Sequence, residues 1–279
     1  MEHFLLNYPD HREDLNSTIN VQFFNNQIRF QPRGVTIDVF HQVAEGRFRL
    51  LEAHHGYIQW IFPIREQGLN HHAAPLQRHE ANTIQSYPEM QTRLVKSLKV
   101  MLHFYGMAIS DTTPLIIIRH PNPVICSKQY KNLCESWHNY LRITRIFKSL
   151  CELGKADYVP SILLFILAEQ SEDGQLNNRE LKYSMDRYWV YCMSETNAQT
   201  CVAMAIKWLR EEEGEFMMDA YKSIAEKRQS DGGRWRFDPA ELGLVIPQPL
   251  YLCNLRHIIF YNNNQKVFII CFNYVFKSL

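Results

Sequence analysis

Histidine is the residue type that first suggests chemistry in this chain, which contains twelve of them. Three adjacent pairs, at positions 54–55, 71–72 and 79–80, combine histidine with histidine or glutamate. Such groups bind transition metals or act as general bases. Metal ligands must converge, typically as two histidines four residues apart on one helix face, and no HExxH motif occurs. The spacing therefore predicts surface or capping histidines and no metal or catalytic residue, with a histidine-dependent enzyme as a third-ranked hypothesis.

Cysteine chemistry receives little support from the sequence. Cys134 precedes His138 by four residues, which puts both on one helix face, but neighbours at this spacing rarely reach the geometry that activates a thiol. Cys151 stands near the end of a predicted helix, where the dipole raises a thiol pKa. The seven cysteines are widely spaced and include no CxxC pair. They predict reduced thiols in an intracellular protein.

Arg142 and Arg145, in the stretch SWHNYLRITRIFKSL, offer a third kind of chemistry, the binding of an anion. They lie on the side of a predicted helix opposite its apolar face, and Lys148 lies near the same side. Two interpretations stay open: a solvated or ion-paired face, or a patch in which the arginine fork binds a carboxylate. The second predicts that Arg142→Ala weakens ligand binding without unfolding the domain.

The stretch HGYIQWIFPIREQG, residues 55–68, brings aromatic and charged side chains together. In the simpler interpretation, Tyr57 and Trp60 form a core wedge where a helix ends. In the other, their polar tips face a groove, and Arg65 and Glu66 orient a small peptide there, since an aromatic pocket with a few polar groups is the usual form of a ligand site.

Helices must position all of these residues. SYPEMQTRLVKSLKVMLHFYG predicts the clearest one, with Ser86 as N-cap, Pro88 in the first turn and Gly106 after its end. A second is predicted over SWHNYLRITRIFKSLCELG and ends at Gly154. Further helical patterns occur in IDVFHQVAEGRFRLLEAHHG, with a break at Gly46, and in PSILLFILAEQ, NRELKYSMDRYWVYCM, TNAQTCVAMAIKWLREEE and EFMMDAYKSIAEKR. The predicted fold class is all-α: a compact multi-helix domain with an irregular N-terminal segment and an atypical apolar C-terminal tail.

The predicted domain organisation has three parts: a lead-in at 1–20, a helical domain at 21–230 and a tail at 231–279 outside the core fold. The segment TTPLIIIRHPNPVICSKQ, residues 112–129, is apolar and broken by proline. We expect it, like the tail, not to belong to the core fold. The tail residues 250–276 are rich in β-forming side chains and end in an aggregation-prone pattern.

Composition limits the partners. Of the 279 residues, 46% are hydrophobic, which favours one large domain. The formal net charge is only +1, so we expect no strong electrostatic field that would attract nucleic acid. The longest apolar runs, 159–168 and 267–276, are about half the ~20 residues that a membrane span needs. The first residues, MEHFLLNYPDHRED, do not form a signal peptide. We expect a soluble protein without a transmembrane segment.

Four stretches resemble the conserved N-terminal domain of the opioid growth factor receptor family: NQIRFQPRGVTID, HGYIQWIFPIREQGLNHHAAPL, MLHFYG and NYLRITRIFKSLCELG. The family carries a run of the form YIQWLFPLREPG, which corresponds to Tyr57 to Gly68. It also carries HNNLRITRILKSLGELG, which corresponds to His138 to Gly154. The departures are Ile61, Ile64, Gln67, Tyr140, Phe147 and Cys151. The resemblance covers about residues 20–210 and fits a receptor or a receptor-like member.

The resemblance implies a non-classical receptor that binds an enkephalin-type opioid peptide, restrains cell growth, and uses no enzymatic activity and no cofactor. It also implies residence in the cytoplasm and nucleus, with peripheral association at the nuclear envelope. The family's C-terminal extensions carry basic import segments, and no such segment follows residue 230 here. The alternative is an intracellular scaffold or adaptor whose ligand is another protein and which does not bind opioid peptides.

The chemistry of an enkephalin-like peptide constrains its site. Its ammonium group needs a carboxylate such as Glu66 or Asp38, its Tyr and Phe rings need an aromatic slot, and its carboxylate suits an arginine. The predicted ligand-binding residues are Tyr57, Trp60, Arg65, Glu66, Arg142 and Arg145.

Overall fold

The computed structural model describes residues 13–113, 115–193, 196–212 and 214–244, and the backbone of residues 259–262 and 265–268. Contacts divide the chain into two compact units, residues 1–246 and 247–279. Helices make up almost all of the regular structure in the first unit, so the all-α class is confirmed. Among the described residues, no helix is long and apolar enough to cross a membrane.

The first half of the helical unit consists of short helices around one long one. The helices are α1 (Ile19–Phe24), α2 (Ile37–Ala44), α3 (Phe48–Ala53), α4 (Ile58–Ile61), α5 (Arg78–Ser86) and α6 (Pro88–Phe104). A small antiparallel hairpin of β1 (Met107–Ile109) and β2 (Ile117–Arg119) follows, with Ala108 opposite Ile118.

The second half supplies the central helices. They are α7 (Pro123–Glu135), α8 (His138–Glu152), α9 (Tyr158–Glu172), α10 (Arg179–Ser184), α11 (Asn197–Arg210) and α12 (Met218–Ser230). A π-helical turn, Met185–Trp189, and a 3₁₀ turn, Val190–Cys192, continue α10. The apolar sequence of α9 is buried on every side from Val159 to Gln170, as expected for a helix that is hydrophobic all round. It forms the centre of the core.

Local sequence signals explain most helix ends. Pro88 is the first residue of α6, in the first turn as predicted. The prediction of Ser86 as the N-cap was wrong, because Ser86 is the last residue of α5 and Tyr87 is the N-cap of α6. The two helices leave only one residue between them. Gly106 follows α6 with φ +79°, and Gly46 separates α2 from α3 with φ +68°, both as their positions predict.

The segment 112–129 contributes Ile116, Ile117 and Cys126 to the core, so the expectation that the segment lies outside the core was wrong. Ile117 is fully buried on β2, and its N–H donates to Tyr221 Oη at 2.6 Å. The side chain of Asn122 accepts from the N–H groups of Val124 and Ile125 and caps α7. The apolar run is therefore a buried strand followed by a capped helix, not a loop.

The region after residue 230 begins with buried aromatic side chains. The Trp208 and Phe237 rings are 6.3 Å apart, and the Phe216 and Phe237 rings are 6.0 Å apart. Trp235 is also buried. The predicted boundary at 231 stays a prediction, since much of the tail lies outside the described residues. In the second unit, strands β3 (Ile259–Asn262) and β4 (Gln265–Phe268) pair antiparallel.

Candidate functional site

Tyr57 and Trp60, the predicted aromatic slot, lie in the core. Each is 3% exposed. Tyr57 Oη donates to the Leu51 carbonyl oxygen at 3.1 Å, and the Trp60 ring packs 5.3 Å from the ring of Phe23. Tyr57 at the N-cap of α4 and Trp60 within it both turn their rings inward, as in the core-wedge interpretation.

Arg65 and Glu66 face helix α8. Arg65 Nε lies 2.9 Å from Glu152 Oε2, and Glu66 Oε2 lies 3.4 Å from Lys148 Nζ. Burial raises the pKa of Glu66 and lowers the pKa of Lys148, because removal from water disfavours the charged form of both groups. The ion pair between Glu66 and Lys148 therefore joins the loop after α4 to helix α8, and water has little access to it.

Arg142 and Arg145 also point toward the stretch 51–66. Arg142 is 5% exposed and donates to the Leu51 carbonyl oxygen and Asn139 Oδ1 at 3.1 Å each, and to His55 Nδ1 at 2.7 Å. Arg145 Nη1 donates to the Phe62 carbonyl oxygen at 3.2 Å. The guanidinium of Arg142 lies 5.8 Å from the centre of the Tyr57 ring, so these two predicted site residues meet.

We call Arg142, Arg145 and Lys148 the α8 clamp. Their spacing of three residues puts them on one side of the helix, where they bind the chain between α3 and the loop after α4. The expectation that Arg142 and Arg145 lie opposite the buried face was wrong, because Arg142 is buried while Leu141 is 66% exposed. Buried carbonyls need donors, and arginine supplies five.

A polar rim borders the α8 clamp. Glu52 accepts from the side-chain amides of Asn132 and Asn139 at 3.1 and 3.3 Å, and His138 Nε2 lies 2.6 Å from Glu52 Oε1. Burial lowers the pKa of His55, and the nearby charge of Arg142 lowers it further. His55 is thus neutral at pH 7 and accepts the hydrogen bond from Arg142 at Nδ1.

Asp38, the alternative ammonium partner, lies elsewhere. A groove of about 650 Å³ runs between α2 and α6, and Asp38 lines it. Arg93 donates to both carboxylate oxygens of Asp38 at 2.9 and 3.0 Å, and its hydrogen bonds lower the pKa of Asp38. The charged residues that line the groove are Asp38, Glu45, Glu89, Arg93, Lys96 and Lys99.

The floor of this groove is uncharged at neutral pH. His41 Nε2 and Ser97 Oγ form a hydrogen bond at 2.8 Å, and burial lowers the pKa of His41 to about 4. Val100 beside it is also buried. By contrast, an apolar void among Leu98, Met101, Tyr105 and Phe147 has a volume of only about 10 Å³. That void holds at most one water, whereas the groove has the size of a ligand site.

The groove residues on α6 were not identified from the sequence. Glu89, Arg93, Lys96 and Lys99 form the polar side of a predicted amphipathic helix, and such a side is ordinarily solvated. The only sequence signal was the alternation of charge along that side. The groove exists because helix α2 packs beside α6, and the spacing of residues within α6 does not predict which helix packs beside it.

The thiols and histidines show no catalytic arrangement in the described part of the chain. His138 faces Glu52 and not Cys134. Burial raises the pKa of Cys134, and that of Cys151 and Cys201 to about 12, so these thiols are protonated at neutral pH. Within the described ranges, no three His, Cys, Asp or Glu residues could hold a metal ion.

Comparison with known proteins gives one family. The model described as the opioid growth factor receptor conserved region matches residues 13–224. The opioid growth factor receptor-like protein 1 of Xenopus tropicalis is 38% identical over 191 residues, 67% of this chain and 36% of the relative. The opioid growth factor receptor of Homo sapiens is 42% identical over 165 residues, 58% of this chain and 24% of the relative.

The opioid growth factor receptor of Mus musculus is 40% identical over 171 residues, 61% of this chain and 26% of the relative. The chain thus spans between 24% and 36% of the length of these relatives. No solved structure matches the chain.

Proposed function

The chain belongs to the opioid growth factor receptor family, and from this we propose that it is a receptor-like protein that binds a short opioid peptide and regulates cell growth. The names of the relatives supply the ligand class. The receptor names also favour a binding role over an enzymatic one. We further propose that the protein works in the cytoplasm and nucleus, which fluorescence microscopy of the tagged full chain would test.

The observation that carries the proposal is the groove between α2 and α6. Its volume of about 650 Å³ lies within the range of about 300–1,000 Å³ that small-ligand sites occupy. It offers carboxylates for an ammonium group and lysines for a carboxylate, and the aliphatic stems of the lysines can cover peptide side chains. The six ligand-binding residues predicted from the sequence already contact other parts of the chain, which favours the groove as the peptide site.

The test is isothermal titration calorimetry of the full chain with Met-enkephalin and with a scrambled peptide. We expect saturable binding of Met-enkephalin that weakens in the double variant Lys96→Gln, Lys99→Gln. The matched control is Lys128→Gln, an exposed lysine on α7 outside the groove. If Met-enkephalin gives no saturable heat with a chain whose circular dichroism is native, the peptide-binding proposal fails.

A second candidate function is that of a protein-interaction adaptor. Trp137 and Leu141 are 67% and 66% exposed and lie four residues apart at the start of α8. Large exposed apolar side chains often mark protein contacts. The test compares proximity labelling in cells by the wild type and by the double variant Trp137→Ala, Leu141→Ala. A partner lost only in the variant supports the adaptor, and identical partner sets contradict it.

A further inference from the structure

Two irregular helical turns follow α10 and change which side chains lie close together. In the π-helical turn, the N–H of Val190 donates to the carbonyl oxygen of Met185, five residues back. The 3₁₀ turn Val190–Cys192 follows it directly. A π-helical turn brings side chains five residues apart close together, and a 3₁₀ turn aligns side chains three residues apart. This spacing aligns positions 183, 188 and 191 along one side of the segment.

Tyrosine occupies all three of these positions, and we call Tyr183, Tyr188 and Tyr191 the tyrosine column. Tyr183 and Tyr191 are 57% and 50% exposed, and Tyr188 is partly exposed. The rings of Tyr183 and Tyr188 lie 5.8 Å apart at 76°, so one ring presents its edge to the other. The opposite side of the segment is fully buried at Leu181, Met185 and Trp189. Core packing therefore fixes the backbone that presents the column.

The geometry of the column fits an extended proline-rich chain better than a nucleic acid. Nucleic-acid bases stack on open aromatic faces, whereas the edge-to-face pair of Tyr183 and Tyr188 leaves a notch between two rings. Proline-rich segments in the polyproline II conformation dock in grooves lined by aromatic side chains. Their backbone carbonyls have no partner within the helix and can accept a hydrogen bond from an exposed hydroxyl such as that of Tyr191. The column thus offers both ring surface and a donor to such a chain.

Two cations lie beside the column in the chain. Lys182 directly precedes Tyr183 and is partly exposed, and Arg187 directly precedes Tyr188 and is exposed. A hydrogen bond with Tyr183 raises the pKa of Tyr188, and the nearby charge of Arg187 lowers that pKa. Neither Lys182 nor Arg187 forms an ion pair with a residue in the described ranges. Both are therefore available to the carboxylates of a ligand.

The carboxylates of the same segment do not cancel this positive charge. Asp186 is paired with Arg210, whose Nε lies 3.0 Å from Asp186 Oδ2. Glu180, at the start of α10, is exposed, and its charge acts on Tyr140 of α8. Residues 179–192 hold three cations against two carboxylates, and Arg210 neutralises one of the carboxylates. The surface around the column therefore favours an acidic ligand.

We infer that the tyrosine column binds an acidic, proline-rich segment of another protein in the polyproline II conformation. The tyrosine rings receive the proline side chains, and Arg187 and Lys182 bind carboxylates that flank the prolines. No residue of the column lines the groove between α2 and α6. The inference therefore goes beyond the proposed opioid-peptide function and does not depend on it.

The test measures the fluorescence anisotropy of three labelled twelve-residue peptides titrated with the full chain. The first, (Pro-Pro-Glu)4, has both the conformation and the charge. The second, (Gly-Gly-Glu)4, keeps the charge without the conformation, and the third, (Pro-Pro-Gln)4, keeps the conformation without the charge. We expect (Pro-Pro-Glu)4 to bind saturably. The other two peptides should each bind at least about threefold more weakly, the size of one exposed ion pair or of a lost preformed conformation.

Two double variants assign each feature of the ligand to its residues. The variant Tyr183→Ser, Tyr191→Ser should abolish the advantage of (Pro-Pro-Glu)4 over (Gly-Gly-Glu)4, because the ring surface is removed. The variant Lys182→Gln, Arg187→Gln should abolish the advantage of (Pro-Pro-Glu)4 over (Pro-Pro-Gln)4, because the positive charge is removed. Circular dichroism verifies that each variant is folded.

The matched controls are Tyr87→Ser and Arg49→Gln, at exposed positions outside the column, which should keep both preferences. The inference is wrong if the controls lose as much affinity as the column variants, if (Gly-Gly-Glu)4 binds the wild type as tightly as (Pro-Pro-Glu)4, or if a natively folded chain does not bind (Pro-Pro-Glu)4 saturably. Tighter binding of a single-stranded oligouridylate, lost in the tyrosine variant, would identify a nucleic-acid surface instead. Calorimetry with Met-enkephalin should give the same affinity for both double variants as for the wild type.

Discussion

Tyr57 and Arg142 donate hydrogen bonds to the same acceptor, the carbonyl oxygen of Leu51, at 3.1 Å each. The arginine is 91 residues from that carbonyl in the chain. One backbone oxygen therefore joins the end of α3, the start of the α4 stretch and the central helix α8. Arg142 holds the fold together at this point, and its role in structure can be separated experimentally from a role in ligand binding.

Arg142→Ala should destabilise the protein by about 3 kcal/mol, because it removes one of the two donors to the buried Leu51 carbonyl and the guanidinium donor to Asn139 Oδ1. Urea denaturation measures the change. Leu141→Ala, at the exposed neighbouring position, is the control and should cost less than about 0.5 kcal/mol. A stable Arg142→Ala variant that loses only peptide binding would instead support the ligand role predicted from the sequence.

Tyr221→Phe should destabilise the protein by about 1–3 kcal/mol, because the buried N–H of Ile117 loses its acceptor. The hydroxyl also contacts Ser161 Oγ at 3.0 Å. Thermal or urea unfolding measures the loss, and hydrogen exchange at the amide of Ile117 reports it locally. Tyr87→Phe, on an exposed side chain, is the control. Unchanged stability in Tyr221→Phe would argue that residues 112–129 contribute little to the core.

Gly106→Ala should be more damaging than Gly46→Ala. Both glycines have positive φ, which costs a residue with a side chain roughly 1–2 kcal/mol. A Cβ at 106 would also lie 2.9 Å from the carbonyl oxygen of Cys126 and 2.8 Å from the ring of Tyr130, whereas a Cβ at 46 meets nothing within 4 Å. Equal melting temperatures for the two variants would contradict the close packing of α6 against α7.

His41 should make the protein less stable in acid. Its pKa falls from 6.5 to about 4 on folding because of burial, while Asp38 opposes the shift and Lys96 and Arg93 assist it. The unfolded chain therefore takes up the proton first, and the stability present above pH 6.5 is lost progressively down to about pH 4. The expected loss from this group is about 2 kcal/mol at pH 5.

Urea denaturation of the wild type and of His41→Gln between pH 7 and pH 4 tests this expectation. The difference between the two free energies of unfolding should shrink as the pH falls, since the variant has no imidazole to protonate at this position. His71→Gln, at an exposed position, should follow the wild type. A constant difference between the wild type and His41→Gln would show that His41 does not titrate in this range.

Helix positions were largely predictable because they depend on neighbours in sequence. Apolar residues at a period of 3.6, Pro88 at the start of α6, and Gly106 and Gly154 at helix ends are all local signals. The residues Ser86 and Tyr87 show the limit of such signals. Either can precede a helix, and the end of α5 decided between them.

The candidate site was less predictable because contact across the fold determines it. The sequence alone determined the helical class, the family and the spacing that places Arg142, Arg145 and Lys148 on one side of α8. Only the tertiary structure decided that this side faces inward, where it binds backbone and side chains between positions 51 and 66, and that α2 lies against α6 to form a groove. Periodicity defines which residues share a face, whereas burial of that face depends on segments far away in the chain.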